Sequence, residues 1–406
     1  MFAKLKKLGP GLLFAGAAIG VSHLVQSTRA GADYGWGLLW ALVLVNLFKY
    51  PFFQFGPRYA LATGESLLDG YYKLGKSYLW IYFFLNIATM FTIQTAVTIV
   101  TAGLASNVFD ISTNMIYWSI GVTAVCYGIL LIGRYQLLDK FIKVIIITLT
   151  ISSILALVIA FSKKGPSIGL TQVFPQGAGL LFVIAFMGWM PAPMDISIWH
   201  SIWALEKKND LKNKLSLKEG LFDFNVGYLT TVLLGGCFVG LGALVMFGSD
   251  LEFSNQGNVF AGQLIDLYTA NLGDAAYGII AIAALTTMFS TTITTLDASP
   301  RAMSKTIQLL FQRNHKDYYL FWITVLALGT CLIFLFLLSE MGLLVQIATV
   351  LSFITAPFYA ILNYRLITSN HMPKGDQPSS SIKILSVLGI LFLTGFTVVY
   401  LLSLSI

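Results

Sequence analysis

The sequence predicts an all-α membrane protein with eleven transmembrane helices. Of its 406 residues, 57% are hydrophobic and only 11% are charged, whereas about a quarter of the residues of a soluble domain are charged. Apolar runs of about 20 residues, the length that spans a bilayer, recur along the whole chain. Basic residues fall mostly in the short loops between these runs, so the net charge of +7 indicates a lipid bilayer as partner and no nucleic acid.

Eleven segments are long and apolar enough to cross a membrane. They cover residues 10–28, 36–60, 77–105, 114–133, 138–162, 178–204, 220–248, 273–297, 318–338, 342–367 and 382–405.

The basic residues fix the orientation of these segments. With a cytoplasmic N-terminus, 21 of the 25 lysines and arginines fall on the cytoplasmic side, and Arg29, Lys163 and Lys164 fall outside. Lys49 lies inside the second segment. This bias follows the positive-inside rule and predicts an integral protein of a bacterial inner membrane, with its C-terminus outside.

Segments 1 and 6 contain residues that interrupt a helix. Segment 1 carries Gly20, Ser22 and His23 near mid-depth, and segment 6 carries Pro191 and Pro193, which remove two backbone donors and favour unwinding. Broken helices are tolerated where they line a polar cavity, and corresponding breaks in two halves are typical of inverted-repeat transporters. The alternative is two unrelated kinks.

The opening of the chain resembles Nramp-type (natural resistance-associated macrophage protein) divalent-metal transporters. The resemblance is carried by 9–11, 26–32, 34–35 and 38–40, then by Ala62-Thr63-Gly64-Glu65, Trp199-His200-Ser201, 290–294 and Ala356-Pro357-Phe358. It implies a LeuT-like five-plus-five inverted repeat with a central site between broken helices 1 and 6. The repeats would be 1–162 and 178–367, joined by an outer linker at 163–177 and followed by an eleventh helix within 368–406.

The metal-binding motifs of that family are not retained. Its helix 1 motif, Asp-Pro-Gly-Asn, corresponds here to 20–23, Gly-Val-Ser-His, so the metal-binding aspartate is absent. Its helix 6 motif, Met-Pro-His, corresponds to Met190-Pro191-Ala192 or, in another register, Pro193-Met194-Asp195. The helix 3 carboxylates associated with proton release also look lost, because Phe91 and Gln94 stand near their places.

The resemblance and the breaks give a set of candidate site residues. The predicted substrate-binding residues are Gly20, Ser22, His23, Met190, Pro191, Ala192, Met194 and Asp195. The predicted coupling or gating residues are Lys49, Gln94, His200, Ser290, Thr291 and Thr294.

Asp195 is the central candidate, because a carboxylate at mid-membrane is expensive unless it is paired or functional. It either contacts the substrate or caps the second half of helix 6. His23 would face Asp195 if the breaks meet, and the two residues would then bind a transition metal together with backbone carbonyls. The alternative for His23 is a buried histidine that donates to a carbonyl. Met190 and Met194 are either soft ligands or apolar filling.

Lys49 is a second charge inside the membrane, with no obvious acidic partner in the sequence. It is either a structural residue or a tethered cation that replaces a coupling ion or attracts an anionic solute. The hydroxyls of Ser290, Thr291 and Thr294 resemble a sodium site of LeuT-like proteins, although such residues often bond only to their own helix. Asp297 and Arg301 have the spacing of a helix ion pair.

These observations predict a secondary transporter that moves a small solute by alternating access. The resemblance implies a divalent cation of the Mn, Fe or Mg class as the transported species, with Na⁺ or H⁺ as coupling ion and no bound cofactor. The alternatives are a small organic, anionic solute with metal binding lost, and a membrane sensor that does not transport. No catalytic motif is present, so an enzyme is not expected.

Overall fold

The computed structural model describes residues 9–132, 135–164, 169–210, 215–248, 253–273, 275, 277–312, 316–336 and 341–403. Every regular element within these ranges is a helix. The α-helices are α1 (Pro10–Ala18), α2 (Thr28–Tyr34), α3 (Leu39–Thr63), α4 (Leu67–Leu74), α5 (Lys76–Phe109), α6 (Met115–Leu131), α7 (Tyr135–Lys164), α8 (Ala178–Trp189), α9 (Ile196–Asp210), α10 (Leu217–Val245), α11 (Gly257–Leu272), α12 (Tyr277–Phe311), α13 (Tyr319–Phe336), α14 (Met341–Thr368) and α15 (Ser380–Ser403). The predicted positions of the two termini, at residues 1–8 and 404–406, lie outside the described residues.

The all-α fold class is confirmed, and several of the helices are suited to a membrane. Within the described residues, six helices are long and apolar enough to cross a bilayer, and a bent pair formed by Pro10–Ala18 and Ser22–Tyr34 makes a seventh. Large apolar side chains such as Phe84, Ile282 and Leu391 are exposed, as expected of a lipid-facing surface. The prediction of eleven spans, and the two-repeat division of the chain, stay predictions.

Both predicted helix breaks are present. The first segment bends by 50° between α1 and the Ser22–Tyr34 helix, where a π-helical segment, Ser22–Ser27, leads into α2. The sixth segment is interrupted between α8 and α9, because Pro191 and Pro193 supply no amide hydrogen to continue the helix.

Helix α10 packs against both halves of the broken first segment through glycines. A Cβ atom on Gly227 would lie 2.0 Å from the carbonyl oxygen of Gly11, and one on Gly242 would lie 2.2 Å from the carbonyl oxygen of Thr28. No side chain fits at such distances, so these positions require glycine. Each half of the broken first segment is therefore held against α10 by a backbone contact of its own.

The N-terminus of α1 is fixed by a buried carboxylate. Asp223 of α10 accepts hydrogen bonds from the backbone amides of Gly9, at 3.2 Å, and Gly11, at 2.7 Å. A negative charge at this position also compensates the positive end of the helix dipole. Asp223 therefore ties α10 to the start of α1, at the end of the bundle that the basic residues predict to be cytoplasmic.

Charged side chains link other helices at the same end. Arg301 pairs with Asp297 at 2.7 Å, as the sequence spacing predicts, and reaches Glu206 of α9 at 3.4 Å. Lys305 pairs with Asp69 of α4 at 2.9 Å. These ion pairs join α12 to α4 and α9.

Candidate transport site

The two helix breaks meet in the middle of the bundle. The hydroxyl of Ser22 lies 3.4 Å from the carbonyl oxygen of Pro191, which joins the broken first and sixth segments. The hydroxyl of Thr291 in α12 lies 3.2 Å from the carbonyl oxygens of both Gly16 and Ile19 at the first break. Both breaks therefore expose backbone oxygens to one central region.

A small cavity of about 20 Å³ lies at this meeting point. It is lined by Ala17, Ala18, Gly20, Val21, Ser22, Ile93, Val97, Trp189, Pro193, Ile196, Trp199, Thr291 and Thr295. This volume holds about one water molecule, and the polar side chains in the lining are Ser22, Thr291 and Thr295. The lining includes Gly20 and Ser22 of the predicted substrate-binding residues and Thr291 of the predicted gating residues.

Lys49 holds the end of the first half of helix 6. Its buried ammonium donates hydrogen bonds to the carbonyl oxygens of Met187 at 2.7 Å, Gly188 at 2.8 Å and Ala192 at 3.3 Å. An ammonium has three donors, and all three are used. Its partners are backbone carbonyls, at a helix C-terminus where a positive charge is favoured. Lys49 therefore occupies oxygens that the break exposes and that a free cation would otherwise contact.

Asp195 does not make the hydrogen bonds of an ordinary N-cap of α9. Both of its carboxylate oxygens are buried, no other side chain bonds to them in the described part of the chain, and the nearest donors are the backbone amides of Asp195 itself and Ile196. The amides of Ser197 and Ile198, which a cap would satisfy, bond instead to the carbonyl oxygens of Met194, at 3.1 Å, and Asp195, at 2.9 Å. Asp195 is not among the residues that line the central cavity, although its neighbours Pro193 and Ile196 are.

Other buried polar groups around Asp195 also have no partner among the described residues. They are the hydroxyls of Tyr82 and Tyr359, the amide of Asn86 and the indole N–H of Trp199. Asp195 acts electrostatically on Tyr82, Tyr359 and Lys49. Unpaired buried polar groups are rare and often mark a site for water, an ion or a ligand.

None of these four residues is among the predicted site residues. Tyr82 and Asn86 lie four residues apart in the apolar helix α5, so they share one face. Two polar residues on one face of an apolar helix could have marked them as candidate site residues. Tyr359 and Trp199 resemble ordinary buried aromatic residues in the sequence, and no pattern distinguishes them.

The predicted pairing of His23 with Asp195 is wrong. The Nε2 atom of His23 lies 2.9 Å from the carbonyl oxygen of Thr231, and Nδ1 lies 2.7 Å from the hydroxyl of Ser22. A carbonyl only accepts hydrogen bonds, so Nε2 carries the proton and Nδ1 accepts from Ser22. Neither nitrogen is left for a metal ion. His23 is the buried histidine that donates to a carbonyl, and it ties the first break to α10.

The predicted methionine ligands pack as apolar residues. Met190 and Met194 belong to a large buried apolar cluster together with Ala192, and the sulfur of Met190 approaches Gly235 of α10. Pro191 contributes its carbonyl oxygen to the contact with Ser22. None of the four residues lines the central cavity.

Three predicted coupling residues lie at the contact of α5 with α12. Thr295 donates to the side-chain oxygen of Gln94 at 2.6 Å, and the Gln94 amide donates to the carbonyl oxygen of Thr292 at 3.3 Å. Ser290 and Thr294 are buried, and the Ser290 hydroxyl has no partner in the described part of the chain. Gln94 thus joins two long helices directly behind the cavity.

His200 lies apart from these residues, in an aromatic cluster. Its ring stacks on Phe14 at a centroid distance of 5.6 Å and lies 5.7 Å from the ring of Phe224. Both ring nitrogens are buried without a hydrogen-bond partner among the described residues. His200 therefore packs against both α1 and α10 and is not among the residues that line the central cavity.

A preassembled metal centre is not found in the described ranges. They contain no group of three or more His, Cys, Asp or Glu side chains that could hold an ion. A cation at the breaks would have to use the Asp195 carboxylate together with hydroxyl and backbone oxygens, a donor set that suits hard cations.

The chain is similar to known transporters over nearly its whole length. The family model "Natural resistance-associated macrophage protein-like" (Nramp) matches residues 11–403. An uncharacterized protein of Pasteurella multocida, PM0681, is 38% identical over 98% of this chain and 92% of its own length. A mutant of the manganese transporter of Eremococcus coleocola superposes with a TM-score of 0.76, at 15% identity over 98% of this chain and 86% of its own. MhsT, in complex with L-phenylalanine, superposes with a TM-score of 0.67, at 14% identity over 98% of each chain.

These findings confirm the resemblance that the opening motif indicates, and the structural neighbours share the LeuT-like fold. Members of the matched family are integral membrane transporters of metal ions and not enzymes. The chain belongs to the Nramp-like family of membrane transporters.

Proposed function

We propose that this protein is a secondary transporter that carries a divalent cation of the Mn, Fe or Mg class through the gap between its two broken helices. Eleven spans, arranged as a five-plus-five repeat with a cytoplasmic N-terminus, move it by alternating access. Family membership and the meeting of the two breaks at Ser22 and Pro191 support this proposal.

The observation that carries the proposal is the buried, unpaired carboxylate of Asp195. A buried carboxylate requires a proton or a cation as its partner. Lys49 acts on Asp195 electrostatically, but its three hydrogen bonds go to backbone carbonyls, so the carboxylate can still take a transported cation. The unpaired hydroxyls of Tyr82 and Tyr359 and the carbonyl oxygens of the break add neutral oxygen donors, which hard divalent cations accept.

Flux of Mn²⁺ into proteoliposomes tests this function. The wild-type protein should transport Mn²⁺, and Asp195→Asn should abolish transport, because it removes the one charge that attracts the ion and keeps the shape of the side chain. Asp110→Asn makes the same change at an exposed position and should transport like the wild type. Equal flux through Asp195→Asn and the wild type would exclude Asp195 as the cation ligand.

A small organic solute is the second candidate, and the contacts of Lys49 favour it. The ammonium of Lys49 already binds three carbonyl oxygens of the break, as a bound cation would, and it repels a divalent ion. Calorimetry with Mn²⁺, Mg²⁺ and Cd²⁺ separates the two candidates. Saturable heat that is lost in Asp195→Asn supports the cation; no heat with any ion supports the organic solute.

A coupling ion has a candidate position next to the first break. The single hydroxyl proton of Thr291 faces carbonyl oxygens of Gly16, Ile19 and Thr287, each at 3.2 Å, and it satisfies one of them at a time. With the unpaired Ser290 hydroxyl, these oxygens form a set of neutral donors suited to Na⁺. Transport that requires Na⁺ in the wild type but not in Ser290→Ala would support this position; transport that is equal in Na⁺ and choline would exclude it.

Binding without flux would contradict transport altogether. If a solute or ion binds the purified protein and no member of the tested set crosses the proteoliposome membrane, the sensor alternative gains support. The site would then be a receptor site on a transporter fold.

A further inference from the structure

A second, larger cavity opens at the predicted outer end of the bundle. It has a volume of about 340 Å³ and is lined, among the described residues, by Gln26, Arg29, Phe182, Asn255 and Gln346 and by apolar positions between them. Ligand cavities commonly measure about 300–1,000 Å³, so this space accommodates a small polar molecule or a hydrated ion. It is separate from the central cavity and shares no lining residue with it.

Arg29 is held rigidly at the wall of this outer cavity. Its Nη2 atom donates to the carbonyl oxygen of Ser254 at 2.8 Å and to Oδ1 of Asn255 at 3.2 Å, and the guanidinium lies 5.6 Å from the centre of the Phe260 ring. Asp33, one turn further along α2, attracts it electrostatically and is itself exposed.

One donor of Arg29 remains unused in this arrangement. Its Nε atom is buried and has no hydrogen-bond partner in the described part of the chain. A buried donor on a charged group that stays unpaired is costly. Arg29 is also one of only three basic residues that the topology places outside.

Gln26 also lines this cavity and carries a second unpaired group. Its side chain is 5% exposed, and Oε1 has no partner among the described residues. Since amide nitrogen and oxygen exchange by a flip of the group, Gln26 can donate to an acceptor that sits beside Arg29. The amides of Asn255 and Gln346 also line the cavity. A guanidinium surrounded by amides recognises a carboxylate or another small anion.

We propose that this outer cavity binds a small monoanion, with Arg29 as its positive partner and Gln26 as a neutral donor. This goes beyond the proposed function, because it adds an anion site that is separate from the central cavity. The bound anion neutralises a guanidinium that would otherwise repel an incoming cation. Its source is either a free anion such as chloride or the carboxylate of an organic solute.

Calorimetry of the purified full-length protein with sodium acetate tests the site. The wild type should give saturable heat, and Arg29→Gln should bind acetate at least tenfold more weakly. Lys163→Gln is the matched control: it removes the same charge from an exposed outer position and should bind like the wild type. No saturable heat in the wild type, or equal affinity in Arg29→Gln, would overturn the proposal.

A second variant keeps the test decisive if Arg29→Gln does not fold. Gln26→Glu keeps the side-chain size and places a tethered carboxylate beside Arg29, so acetate should no longer bind; unchanged acetate affinity in this variant overturns the proposal. Asp195→Asn should retain acetate binding whatever its effect on Mn²⁺ flux, which separates this site from the transport proposal.

Competition identifies the source of the anion. Chloride that displaces acetate indicates a site for free anions. Glycine that binds while chloride does not compete indicates a site for the carboxylate of an organic solute. In either case the anion site stands, and Mn²⁺ flux with acetate as the sole small anion should exceed flux without it only when Arg29 is intact.

Discussion

Replacement of Lys49 by methionine tests how the break in helix 6 is stabilised. The variant keeps the length of the side chain and removes the ammonium that binds the carbonyl oxygens of Met187, Gly188 and Ala192. Each unpaired buried carbonyl costs about 1–3 kcal/mol, but losing a buried charge returns several kcal/mol of desolvation energy, as a rough order of magnitude. We therefore expect a net destabilisation of about 3 kcal/mol.

Thermal melting of the purified protein, followed by tryptophan fluorescence, measures this effect. A loss of about 3 kcal/mol corresponds to a Tm lower by about 3–6 °C in a chain of this size, since larger domains shift by about 2 °C or less per kcal/mol. Lys73→Met is the matched control, because Lys73 pairs with Glu65 at the surface, with 41% of its side chain exposed, and such pairs contribute about 0–1 kcal/mol. Equal melting of Lys49→Met and the parent would refute the assignment of Lys49 to the break; an equally large loss in Lys73→Met would show that the effect is not specific.

Three further variants test other parts of the structure. Gly227→Ala should push α10 away from α1 and lower the Tm, because its Cβ would lie 2.0 Å from the carbonyl oxygen of Gly11 and overpacking of this kind costs about 1–3 kcal/mol. Gly236→Ala on the same helix is the control, since its Cβ would meet nothing within 4 Å, and it should melt like the parent. Equal Tm values for the two variants would refute the close contact. Asp223→Asn should destabilise the N-terminus of α1 by about 1–2 kcal/mol, so amide hydrogen exchange of residues 9–18 should accelerate about 5- to 30-fold. Unchanged exchange would contradict the role of Asp223 in fixing this end of α1. His23→Leu should lower the Tm and leave cation affinity unchanged in calorimetry, since both ring nitrogens bond within the protein; a tenfold loss of affinity would restore His23 as a ligand.

The sequence was sufficient for the two breaks and for the helical character of the chain. Apolar runs of bilayer length and paired prolines act locally, so their effect can be predicted without tertiary information. The resemblance predicted that the two breaks meet, and the contact of Ser22 with Pro191 agrees with that prediction. The family likeness, carried by short motifs, was confirmed over residues 11–403.

The direction in which side chains point could not be predicted. His23 lies in a π-helical segment, whose wider turn changes the face on which each residue falls, and it points to Thr231 instead of Asp195. The partner of Lys49 was hidden for a different reason. It is a set of backbone carbonyls, which every residue possesses, so no sequence pattern marks them. The unpaired groups of Tyr82 and Tyr359 became visible only when tertiary packing placed them near Asp195.

The contacts between α10 and the first segment have a mechanical consequence. Two backbones that touch without intervening side chains have no rotamers with which to adjust, so each crossing either holds or separates as a unit. The crossing at Gly227 and the crossing at Gly242 lie on opposite sides of the 50° bend. The two halves of the broken segment are therefore tied to α10 at two separate points, and each attachment depends on a single glycine of that helix.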